Sequence, residues 1–315
     1  MRAILASDIH LQQTAPLARS AEPDWYAAMA RPLGQLRDLA DKLDVPVVYA
    51  GDIFDKWNPS AELINFALRH LPRGYAVPGQ HDLPNHSYKE IRRSGYWTLC
   101  EAGVLHNLEP GGLVQIAPGI TEHLGGTVTN TPGVYAVGFP WDQPVAPLPD
   151  NMADGLYLAV VHAYCYNSKH TSYPGAPPQA RASVARSALQ GFDAAAYGDN
   201  HKGFIDHRKG LTICNCGGFM RRKTDEVGYR PGVGLLLGDG RVARHYLDTS
   251  EDQFIELTDA EAAVGKVLDM GDFVDGLDGL GADGNLDFVE ALGRTLTNNK
   301  TDKAVREIVM AAATT

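Results

Sequence analysis

Apolar runs and polar breaks alternate along the first two thirds of this chain in a rhythm that predicts strands joined by helices. Residues 3–6, 45–50, 75–77, 156–161 and 194–197 are short, continuous apolar runs, the pattern of strands covered on both faces. Over residues 24–43, Trp25, Met29, Leu33, Leu36, Leu39 and Leu43 recur every three or four positions, which predicts an amphipathic helix. Pro59-Ser60 opens a second helix, whose apolar face includes Leu63, Phe66, Ala67 and Leu71. This alternation implies an α/β fold with mainly parallel pairing and right-handed crossovers.

Past residue 210 the pattern changes. Residues 211–214, 233–237 and 242–247 read as strands, with Gly238-Asp239-Gly240 as the hairpin turn between the last two. Helical signals return over 259–270, 285–296 and 301–313, and a Gly/Asp-rich loop at 270–284 separates the first from the others. The division expected is a catalytic domain over 1–250 and a small helical C-terminal element over 251–315. Val264, Leu268, Phe288, Leu292 and Leu296 would either pack on that element or dock a partner.

The residues that close the apolar runs carry the chemistry. Asp8-Ile9-His10, Gly51-Asp52-Ile53-Phe54-Asp55, Gly79-Gln80-His81-Asp82, His162 and Gly198-Asp199-Asn200-His201 each follow such a run. Open parallel sheets gather ligands beyond the carboxyl ends of their strands, so all five segments would arrive at one edge. Taken singly, an Asp-x-His or a strand-end His is a weak signal, commonly a hydrogen-bonded core residue. Their order and shared placement point to a binuclear metal site, and so to a metal-dependent phosphoesterase.

Bulk properties narrow the reading. The 315 residues are 44% hydrophobic and 21% charged, an ordinary globular balance. A net charge of −10 argues against a protein that coats nucleic acid by charge alone. Four cysteines make no secreted disulfide framework, and Cys214 and Cys216 lack zinc-knuckle spacing, so free thiols are expected. A ligand as early as Asp8 leaves no space for a cleavable signal, and no apolar run would span a bilayer. The expectation is a cytoplasmic protein of a bacterium or phage-infected cell.

These motifs resemble those of the calcineurin-like metallophosphoesterases: Asp-x-His, Gly-Asp-x-x-Asp, Gly-Asn-His-Asp, a strand-end His and Gly-His-x-His. The resemblance covers about residues 1–250 and implies a four-layer αββα sandwich with two divalent cations bridged by one aspartate. It implies Asp8, His10, Asp52 and His201 at the first cation, and Asp52, Gln80, His162 and Asp199 at the second. His81 would act on the substrate, with Asp82 orienting its ring and Asp55 steering His10 or a nearby backbone group from behind. Two cations about 3.5–4 Å apart clamp the attacking and leaving oxygens of an in-line displacement and acidify a bridging water into hydroxide.

Two departures fall on the second cation. Gln80 stands where the family has Asn, and Asp199 where it has the first His of the last motif. A harder, more negative site favours manganese first, with magnesium or iron(II) as alternatives, over zinc. The same exchange leaves open a weak second site.

Within the family, residues 51–60 and Asn215-Cys216-Gly217-Gly218-Phe219-Met220-Arg221-Arg222 are similar to the SbcD-type and phage recombination nucleases. That branch implies a DNA substrate, a coiled-coil ATPase partner of the chromosome-maintenance type and a homodimer. Arg221, Arg222 and Tyr164 are the residues expected on substrate, among basic clusters and a tyrosine-rich loop. Small-molecule or phosphoprotein esters are the second reading, and a catalytically silent metal-binding subunit the third.

Overall fold

The computed structural model describes residues 1–124 and 127–255; the helices and loop expected over 259–313, with their apolar positions, lie outside the described residues. From the N-terminus run β1 (Ala3–Ala6), α1 (Trp25–Leu43), β2 (Val47–Ala50), α2 (Ala61–His70), β3 (Gly74–Val77), α3 (Gly95–Glu101) and β4 (Leu105–Asn107). Next come β5 (Leu113–Ala117), a hairpin of β6 (Ile120–Leu124) and β7 (Thr127–Thr131), β8 (Val134–Phe139) and β9 (Leu156–His162). The remainder is α4 (Ala182–Ala185), β10 (Ala194–Gly198), β11 (Phe204–Arg208), β12 (Leu211–Asn215), β13 (Gly232–Leu236) and β14 (Val242–Tyr246).

Local chemistry explains the helix starts. The Asp24 carboxylate accepts from the Ala27 amide, and the Ser60 hydroxyl from the Leu63 amide, each satisfying a donor that the first helical turn leaves free. The expected helices therefore begin where their caps stand.

Two six-stranded sheets form, in the orders β14-β13-β1-β2-β3-β4 and β11-β12-β10-β9-β8-β5. Pairing is parallel through the middle of each, from β1 to β4 and from β12 through β10 and β9 to β8. The edges depart from the parallel expectation: β13, β14, β11 and β5 all pair antiparallel. β13 and β14 also return to the first sheet after the second is complete, which no hydrophobic pattern announces.

Burial falls into three layers. α1, α2 and α3 cover the outer face of the first sheet through Met29, Leu33, Leu36, Phe66 and Tyr96. Leu5, Val48, Val77, Leu158, Val160 and Cys214 fill the space between the sheets. Val161, Leu189, Phe192 and Tyr197 line the outer face of the second sheet, and its cover is thin, with the four-residue α4 and single helical turns. The mixed α/β sandwich of the sequence expectation is present, with two sheets at its centre.

The sheets approach each other closely at one edge. A methyl added at Gly198, the last residue of β10, would sit 2.0 Å from the Ala50 carbonyl at the end of β2. Gly198→Ala should therefore cost about 1–3 kcal/mol by forcing the layers apart. Urea unfolding would show a lowered midpoint with unchanged slope, whereas an unchanged midpoint would mean that the layers yield there freely.

Candidate metal centre

All the chemistry-bearing segments leave their strands at this close-packed edge: Asp8 and His10 after β1, Asp52 after β2, Gln80 and His81 after β3, His162 at the end of β9, Asp199 and His201 after β10. Asp8, His10, Asp52 and Asp199 all have positive φ, at 53°, 48°, 53° and 76°. Non-glycine residues in that region carry about 1–3 kcal/mol of strain each, and it is kept where the surroundings fix the conformation. The surroundings do so here. The amides of Asp8, His10 and Leu11 donate to the carbonyls of Gly51, Asp52 and Ile53, zipping the two loops together. Gly51, at φ 93°, leaves the space that the His162 ring fills, since a Cβ there would lie 1.9 Å from His162 Nδ1.

The donor atoms are spaced as ligands of shared cations are. Two donors about 2.1 Å from one cation and at right angles to each other lie about 3 Å apart. His10 Nε2 lies 3.1 Å from His201 Nε2, 3.9 Å from Asp8 Oδ1 and 3.6 Å from Asp52 Oδ2. His201 Nε2 is 3.8 Å from Asp8 Oδ1, which completes the first set. The same Asp52 Oδ2 is 3.4 Å from His162 Nε2, and His162 Nε2 is 2.7 Å from Gln80 Oε1, which begins the second. His162 Nδ1 donates to the Ala50 carbonyl at 2.6 Å, turning Nε2 towards the centre.

Asp199, expected as a ligand, acts here on Gln80. Its Oδ1 accepts from Gln80 Nε2 at 2.7 Å, which faces the amide oxygen of Gln80 towards His162. The two departures from the family pattern are thus joined: a carboxylate in place of imidazole fixes the orientation of the longer amide.

Electrostatics make the same case for cations. Burial and the neighbouring Asp52 push the Asp8 carboxyl up, and burial with Asp52 also raises Asp199. Burial opposes a charge on His162, but Asp52, Asp199 and Asp8 outweigh it and raise the imidazole to about 10. Burial and the charges of Arg222 and the other imidazoles push His10 down. Buried like charges of this kind are neutralised by protons or by metal ions. Asp8 Oδ2 is buried with no hydrogen-bond partner among the described residues, as befits a carboxylate beside a cation site. The donors fit two divalent ions, one among Asp8, His10, His201 and Asp52 and one among Asp52, His162 and the Gln80 oxygen.

Other expected residues are placed differently. Asp82 does not serve the His81 ring: its Oδ1 accepts from the Phe54 amide and its Oδ2 from those of Ile53 and Gly79, tying the β2 loop to the β3 loop. The His81 ring instead meets the Asp55 carbonyl through Nδ1 at 3.0 Å, and its amide donates to Asp52 Oδ1 at 3.1 Å. Asp55 Oδ1 stands 3.6 Å from His10 Nδ1, as expected of a group behind that ligand, and accepts from Arg222 at 2.7 Å. Arg221 is not turned to substrate. Its guanidinium is spent on Asp252 and on the carbonyls of Val227 and Thr249. Tyr164 lies within the electrostatic reach of Asp199, with its hydroxyl accepting from the Tyr173 amide.

Two contributors escaped the sequence reading. Trp141, just past the end of β8, sets its ring 6.3 Å from that of His162. Its place after a strand end was the available signal. Asn200 is fully buried, and its amide donates to the carbonyls of Cys165 and Thr171, holding the tyrosine-rich loop against the centre. Nothing local in the sequence marks that partnership.

A two-sheet sandwich with carboxylates, imidazoles and an amide gathered at its strand ends defines a metal-dependent phosphoesterase. The chain matches the model of the calcineurin-like phosphoesterase family over residues 1–203, and it belongs to that family. No curated protein matches it in sequence. Among solved structures it is similar to an inferred 5′-nucleotidase from Staphylococcus aureus, at 12% identity and TM-score 0.44, over 85% of this chain and 57% of that one. It is similar to the NAD nucleotidase of Haemophilus influenzae at 13% identity and TM-score 0.37, over 85% of this chain and 55% of that one. An archaeal phosphodiesterase matches at 12% identity and TM-score 0.32, over 82% of this chain and 99% of its own. The chain thus spans little more than half the length of the two nucleotidases.

If Asp82 ties the two loops, Asp82→Ala orphans three buried amides and should destabilise the fold by at least about 3 kcal/mol. Calorimetry would show the loss as a lowered Tm, with Asp82→Asn milder because one acceptor oxygen survives. A variant as stable as the parent, deficient only in turnover, would restore the ring-orienting role.

Proposed function

We propose that this protein hydrolyses phosphodiesters at a two-cation centre, acting as a nuclease of the SbcD type. The observation that carries the reading is the place of Asp52 Oδ2, 3.6 Å from the nitrogen of His10 and 3.4 Å from that of His162. One carboxylate oxygen stands between two ligand sets, the arrangement that two-metal hydrolysis requires. When bound, the cations supply the charge that acidifies water and offsets negative charge developing on the phosphoryl group.

The chain's own groups supply the rest. The Asp55 carbonyl accepts from His81 Nδ1, an orientation in which Nε2 would hold or release the proton for the leaving oxygen. Arg222 is fixed at one nitrogen by Asp55, and its other N–H groups are available to a phosphoryl oxygen. The oxygen-rich second set of Asp52 and Gln80, backed by Asp199, suits manganese or magnesium better than zinc. An ATPase partner, a homodimer and a cytoplasmic location belong to the same reading.

Small nucleotide esters are the second reading, favoured by a net charge of −10, which opposes a long polyanion. With manganese, bis-(p-nitrophenyl) phosphate should be cleaved faster than the monoester, and linear DNA should be degraded. Diester cleavage with intact DNA would move the assignment to small esters; no cleavage of either would overturn hydrolysis itself. His81→Asn should lower kcat by about 10²–10⁴ while metal content, read by elemental analysis, stays at the parent value. Loss of a metal ion in that variant would instead make His81 a ligand.

A further inference from the structure

The centre described above leaves one neighbouring feature unused. β14 runs in the same direction as β1, because each pairs antiparallel with β13. Gly234 pairs with both Leu5 and Arg244, and Gly232 with Tyr246, so Tyr246 stands level with Ser7, the residue before Asp8. Two strand spacings separate them, about 10 Å. The end of β14 therefore opens on the same edge as the metal ligands.

What it presents there is cation on aromatic ring. The Arg230 guanidinium lies 4.2 Å from the Tyr246 ring centroid, with Arg244 6.0 Å from the same ring. Tyr246 is 47% exposed, and Arg230 is exposed as well. Arg244 donates to the carbonyls of Asn215 and Cys216, and the space beside its guanidinium is bounded by Gly203. Gly203 follows Lys202, whose ammonium lies 4.4 Å from the Tyr173 ring and donates to the Ser172 carbonyl. The Tyr173 ring in turn packs 5.8 Å from that of Tyr164, two residues past His162. Tyr164, Tyr173 and Lys202 form one group and Arg244, Tyr246 and Arg230 another, with Gly203 between them against the Arg244 guanidinium.

In these two groups, as at Arg37 and Arg92 elsewhere, the cations meet no carboxylate among the described residues. Arg19, Arg31, Arg93, Arg186, Arg208, Arg221 and Arg241 each meet a carboxylate. Among the described residues, Lys202, Arg230 and Arg244 meet carbonyl oxygens and ring faces, neither of which cancels a full charge. Glu226, in the turn before β13, accepts from the amides of Arg222 and Lys223. Uncancelled cations follow a phosphate chain, and aromatic faces stack bases that are not already paired. A duplex offers no such bases.

We propose that Tyr164, Tyr173, Lys202, Arg230, Arg244 and Tyr246 form a binding face for single-stranded nucleic acid, leading the strand to the metal edge. This rests on the phosphodiesterase reading and names its substrate as a strand with free bases. The probe is a fluorescein-labelled oligo-dT of twenty residues, followed by anisotropy on the full chain in calcium, with cleavage of bis-(p-nitrophenyl) phosphate in manganese assayed separately. Binding should weaken with salt at a logarithmic slope near −2, since single strands give about −0.7 for each of three phosphate contacts.

Lys202→Glu combined with Arg230→Glu should weaken binding at least about tenfold and flatten that slope. Tyr246→Ala should weaken it about fivefold or more, the loss of one stacking platform. Arg241→Glu, at the other end of β14 and paired with Asp239, should bind as the parent does. Thermal melting verifies that each variant folds. Affinities within twofold of the parent in the first two variants, an equal loss in Arg241→Glu, or equally tight binding of a duplex would overturn the proposal. Diester cleavage by the parent alongside any of these would leave the phosphodiesterase reading standing, so the two failures are distinguishable.

Discussion

Three aspartates and four imidazoles share one small volume, and that crowding is the constraint on which everything else in the molecule depends. Asp8, Asp52, His10 and His162 are each about 1% exposed. Ionised carboxylates packed this closely, away from water, repel one another and forgo hydration, a cost that burial repays only when opposite charge is supplied. His162 provides part of it as an imidazolium, raised to about 10 by its acidic neighbours. Divalent cations would provide all of it. The fold is arranged around this need: parallel strands deliver the groups to one edge, positive-φ turns aim them, and a glycine contact brings the two sheets close enough for both to contribute.

Much of this was legible in the sequence. The five motif-bearing strands were visible as apolar runs because they are buried on both faces, and a parallel sheet has one ligand edge, so placing the strands also placed Asp8, His10, Asp52, Gln80, His162 and His201. The strands β4, β5, β8 and β11 were not distinguished, since their patterns are short or interrupted, and α3 has too few turns for a clear period. Pairing partners of single polar side chains were equally hidden. Asp82 serves three amides rather than a ring, and Arg221 serves the chain beyond β14 rather than a substrate. Composition fixes that such residues have partners; only the tertiary arrangement decides which.

The paired substitution at the second half-site shows how a departure from a motif can be read. Gln80 alone would carry its amide one methylene further than the family's Asn, with no fixed orientation. Asp199 alone would add a negative charge to a site already rich in it. Together they form a 2.7 Å hydrogen bond that sends the amide oxygen to the position where a ligand is needed, next to His162 Nε2. The carboxylate thus acts through the amide, and the half-site keeps two donors from opposite sheets.

Diffraction from crystals grown with manganese, collected at the manganese absorption edge, tests the central claim most directly. Two anomalous peaks are expected about 3.5–4 Å apart, the spacing of two-metal centres, with Asp52 Oδ2 touching both. A single peak, or a pair in which Asp52 contacts only one ion, would contradict the bridging role assigned to that carboxylate and with it the two-cation chemistry.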